Sequence, residues 1–132
     1  MSRPESLFEI ASRINADVES GTDAYRAMSY HVSDYRHSVP KCTLAWLAGS
    51  IAEEPPLVPG KPEIDVWFGA LAEYLARNRG VRPPAWTEEP CRFLAEPFQM
   101  CNRKMWEAGL VPTPNEWLRR NLICEAPSDT LR

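Results

Sequence analysis

Two histidines, six glycines and four cysteines in 132 residues leave little material for several common chemistries. His31 and His37 lie six apart, off any single helical face, and even with Asp34 between them they fall short of a zinc tetrahedron. The nearest extra donor, Cys42, lies beyond a break at Pro40. Cys42, Cys91, Cys101 and Cys124 are irregularly spaced, with no Cys-x-x-Cys pair and no disulfide framework, so free thiols in a reducing compartment are expected. A nucleophile pair such as Cys42 with His37 would also need oxyanion donors, which nothing nearby supplies. The scattered glycines form no phosphate loop, and there is no G-x-S-x-G. The adjacent acids Glu53/Glu54 and Glu88/Glu89 fit helix ends. No apolar run reaches the roughly 18 residues needed to span a bilayer. The opening MSRPESLFEI lacks a signal-peptide core, so the expectation is a cytoplasmic protein with no membrane association. Nor is there any run of like charge. A net charge of −3 gives no field to attract nucleic acid from a distance. No enzyme activity, cofactor or metal is expected.

What the chain does have is enough apolar residue for one domain spanning 1–132, since a chain this long hides about two thirds of its unfolded surface. The organising stretch is EIDVWFGALAEYLARNR, about 63–79. Ile64, Trp67, Phe68, Leu71, Leu75 and Asn78 repeat at helical spacing, with Asp65, Glu73 and Arg77 pointing elsewhere. Gly69, Ala70, Ala72 and Ala76 leave the flank small enough for other segments to approach. Pro62 before it and Gly80 after it punctuate the helix.

Ahead of this helix, Leu7, Ile10, Ala11, Ile14 and Val18 predict an amphipathic helix over about 3–20, with a capping box at Ser2 and Glu5. Asp23 or Thr22 can cap a second helix to about His37, with Ala24, Ala27, Met28, His31 and Tyr35 inward. A third, about 41–53, turns Leu44, Leu47, Ala48 and Ile51 inward. EEPPLVPGKP then breaks all regular structure.

Beyond Gly80 the prolines come thickly. Val81 to Trp86 should be extended, followed by a helix over about 88–95 capped by Thr87 and burying Phe93 and Leu94. A short helix over 102–108 and another opened by the capping box Thr113-Pro-Asn-Glu116 follow, with Asn121 a left-handed stop. Leu122-Ile123-Cys124 can lie extended across the core. The expected fold is all-α: a compact irregular bundle of about six to seven helices around the helix at about 63–79.

Arg77, Arg79 and Arg82 gather near one helix end and Arg119 with Arg120 near another, where the helix dipole favours cations without any ligand. Five tryptophans are many for this length. Trp86 and Trp106 stand beside Phe98, Met100 and Met105 in the irregular half, and Trp, Met and Arg are enriched where proteins meet. The partner-binding set read from this pattern is Arg82, Trp86, Arg92, Phe98, Met100, Arg103 and Trp106.

Several short runs carry a family resemblance: Glu53 to Pro56, Asp65 and Trp67, Leu71 to Leu75, Pro84 to Thr87, Arg92 to Leu94, and Thr113 to Arg120. Together they resemble a helical domain of bacterial, especially actinobacterial, proteins described as antitoxins or helix-turn-helix regulators, some beside nucleotidyltransferase-like toxins. The likeness spans about Leu7 to Cys124 and departs at Pro97-Phe98-Gln99, where a Pro-Trp-Phe is expected. It implies an antitoxin-like module that neutralises a toxin enzyme by direct contact, with a DNA-associated regulator as the alternative, and it transfers no catalytic residue. The expected partner is thus a cognate toxin-like protein, with self-association open and nucleic acid not expected.

Overall fold

The computed structural model describes residues 5–38, 42–100 and 113–124. It is mostly helical. Five α-helices appear among the described residues: α1 Leu7–Glu19, α2 Ala24–Ser38, α3 Leu44–Ala52, α4 Pro62–Asn78 and the single-turn α5 Asn115–Leu118. Two short strands, β1 Phe98–Gln99 and β2 Leu122–Ile123, pair in parallel, with Phe98 opposite Leu122 and Gln99 opposite Ile123. The expected helix at 102–108, the capping box at Ser2 and the tail from Glu125 lie outside the described residues.

Local chemistry accounts for the helix ends. Ser6 and Glu9 make a reciprocal capping box at the start of α1. The Asp23 carboxylate accepts from Arg26 N (3.1 Å) at the start of α2, and Thr43 Oγ1 accepts from Trp46 N (3.2 Å) at α3. Pro62 is the first residue of α4, where its missing N–H costs nothing. Gly80 (φ +71°) and Asn121 (φ +64°) take the left-handed conformation that stops α4 and the turn after α5. α1 packs on α2 and α3, and their apolar faces close over α4.

Thirteen of the 17 residues of α4 are buried, so it is enclosed on most of its circumference. Glu63, Asp65 and Glu73 are among them, against the expectation that Asp65 and Glu73 face away from the core. Leu44 also departs from its inward assignment and is 52% exposed, while Ser50 takes an inward place on α3.

The chain after α4 departs most from the helical expectation. In place of a helix over 88–95 there are two 3₁₀ turns, Ala85–Glu88 and Pro90–Arg92, separated by an extended Glu89 (φ −65°, ψ 144°). The reason is Pro90, whose ring disfavours helical geometry at the residue before it. Without a continuous helix the phase changes, so Arg92 turns inward while Phe93 and Leu94 stay half-buried. α5 likewise begins after Pro114, because the Thr113 hydroxyl donates to Cys124 O (3.1 Å) and forms no cap.

Gly69 lies where Arg92 crosses α4: a Cβ there would stand 3.0 Å from Arg92 Cβ and 3.4 Å from its Cγ. Gly49 on α3 has nothing within 4 Å of that point. Gly69→Ala is therefore expected to lower stability by about 1–2 kcal/mol through overpacking against a pinned side chain. Gly49→Ala should raise it by up to ~1 kcal/mol through helix propensity alone. Urea denaturation of the two variants checks the opposite signs.

Candidate functional site

The segments after α4 are held to it by charge. The Glu73 side chain, 1% exposed on α4, accepts from Arg119 Nε (3.0 Å), Arg120 Nη1 (2.6 Å) and Arg77 Nε (3.0 Å). Arg119 also pairs with Glu88. Arg120 is fully buried and spans three elements, donating to Glu73, to Glu116 O (2.6 Å) and to Thr87 O (3.0 Å). The Phe93 ring lies beneath both guanidinium groups, 5.1 Å from Arg119 and 4.8 Å from Arg120.

Arg92 makes a second clamp. Its guanidinium donates to Asp65 O (3.1 Å), Pro55 O (2.7 Å) and Glu54 Oε2 (3.2 Å), and it stacks 4.9 Å from the Trp86 ring. The Trp86 indole N–H donates to Ile51 O (2.9 Å), one of the carbonyls left over at the end of α3. Asp65 Oδ1 accepts from Val58 N (2.7 Å), which ties the proline-rich loop from the other side.

These environments shift proton affinities. Burial pushes the Glu73 carboxyl up, but the hydrogen bonds from Arg119, Arg120 and Arg77 outweigh it and hold the group down at about 2. Burial raises Asp65, against the opposing Val58 N–H and Arg92 charge. Burial also raises Tyr25, whose hydroxyl donates to Glu63, and that hydrogen bond adds to the shift.

The residues proposed from sequence separate into three groups. Arg82 and Phe98 reach the surface, Phe98 at 40% exposure, and Met100 is half-buried. Trp86 and Arg92 are inside the domain, where they hold the loop after α3 and make no outer face. Arg103 and Trp106 lie outside the described residues. A cleft of about 310 Å³ opens beside β1, lined by Tyr25, Met28, Ser29, Val32, Trp67, Met100 and Cys124.

Of the chemistry-bearing residues weighed from sequence, the described ones sit in separate surroundings, except that Cys42 lies near enough to Tyr35 to raise its proton affinity. His31 Nε2 contacts Asp17 Oδ2 (2.7 Å), the Tyr35 hydroxyl meets Ser50 Oγ (3.0 Å) in the interior, and Cys42 is buried near Arg79. The side chains of Asp34 and His37 lie outside the described residues. Glu54, Glu89 and Cys91 bring three donor atoms within 4.8 Å of one another, but the Arg92 guanidinium already neutralises Glu54 there. Sequence reasoning missed Glu73, Arg119 and Arg120 as one unit. The readable hint was the small flank of α4, which lets bulky side chains lie against its backbone.

No protein-family model matches the chain, and neither does any curated protein or solved structure.

Glu73→Gln would leave the buried Arg120 without its counter-charge, and a loss of about 3–5 kcal/mol is expected. The pH dependence follows from the sign of the shift. A carboxyl held at about 2, below its ordinary 4.5, stabilises fully above about pH 4.5 and loses that contribution as pH falls through 2. Asp65 is shifted the other way and acts oppositely, so the informative curve is the stability difference between parent and Glu73→Gln. That difference should shrink between pH 4.5 and 2, measured by denaturant unfolding at each pH.

Proposed function

We propose that this chain is an antitoxin-like protein-binding module that neutralises a toxin enzyme by direct contact. The observation that carries the reading is the division of labour in the segments after α4. Arg92, Arg119 and Arg120 are turned onto α4 and the loop before it, while Phe98 stays 40% exposed and Met100 edges a cleft lined by Met28 and Trp67. Phe98 lies in β1 and Met100 just beyond its end, next to the cleft. Aromatic and methionine side chains beside a cleft are the typical anchors of a protein interface. The family resemblance supplies the kind of partner, a toxin-like enzyme of nucleotidyltransferase type.

The alternative of a DNA-associated regulator has less in its favour. Arg77, Arg119 and Arg120 are engaged with Glu73, and Arg79 donates to Cys42 O (3.2 Å), which leaves little of the arginine patch for phosphates. A gel shift on the chain's own promoter at near-physiological salt is expected to show no complex.

Co-expression with the product of the adjacent gene should give a stable complex and relieve that product's toxicity. Phe98→Asp should weaken the complex at least about tenfold, since a central aromatic anchor is worth ~2 kcal/mol or more. Its own unfolding midpoint should stay unchanged, because the side chain is outside the core. A neighbour that is harmless alone, or a complex indifferent to Phe98→Asp, contradicts the proposal.

A further inference from the structure

We draw no further inference here: the strongest candidate, the cleft of about 310 Å³ beside β1 between Met28, Trp67 and Met100, belongs to the surface already proposed as the interface, and nothing in the structure shows what covers it.

Discussion

A carboxylate deep in a small protein is tolerable only when cations reach it, and Glu73 imposes that condition on everything after α4. With the group 1% exposed, three arginines converge on it from α4 itself and from the turn that follows α5. Arg120, also fully buried, can satisfy Glu73 only if the Thr87 and Glu116 carbonyls stand where they do. The cluster thereby ties the first 3₁₀ turn, through Thr87, and α5, through Glu116, to α4. Such pairs contribute little net stability over apolar replacements but penalise any arrangement that leaves one member alone. In a stretch with so many prolines and so little regular hydrogen bonding, that penalty is what selects a single register. Arg92 does the same for the loop after α3, binding the Pro55 carbonyl, which lies outside any helix or strand, and anchoring it to the Asp65 carbonyl of α4.

Much of the helical frame could be read in the chain because its signals are local. The apolar repeat of α1, the cap at Asp23, the proline opening α4 and the stops at Gly80 and Asn121 each depend on residues within a turn of one another. Ser6 and Glu9, which the sequence reading passed over, form a capping box at the start of α1 with the spacing that such a box requires. The clamps were not legible for the opposite reason. Glu73 meets its partners 46 and 47 residues away, and a glutamate four before an arginine reads as an ordinary surface pair. Arg92-Phe93-Leu94 invited burial of the two apolar residues, whereas the break at Pro90 turned the arginine inward. Of the interface set, Arg82, Phe98 and Met100 kept some access to solvent, and Trp86 and Arg92 proved to be supports beneath the surface.

The surfaces left over differ in character. Around β1 the exposed aromatic and the methionine-lined cleft suit an apolar contact, while the space between α1 and α3 is acidic and bordered by an indole. Their common feature is a scaffold whose own charges are already matched inside, so that what each surface offers is set by few residues.

The attachment of the segments after α4 turns on coupling between Glu73 and Arg120, and a double-mutant cycle measures it directly. Glu73→Gln, Arg120→Met and the double variant would be compared with the parent by denaturant unfolding. A coupling energy of at least about 2 kcal/mol, with the double variant less destabilised than the sum of the singles, is the expected result. Effects that add to within ~0.5 kcal/mol would contradict it, and would mean that the segments after α4 are held by something other than this pair.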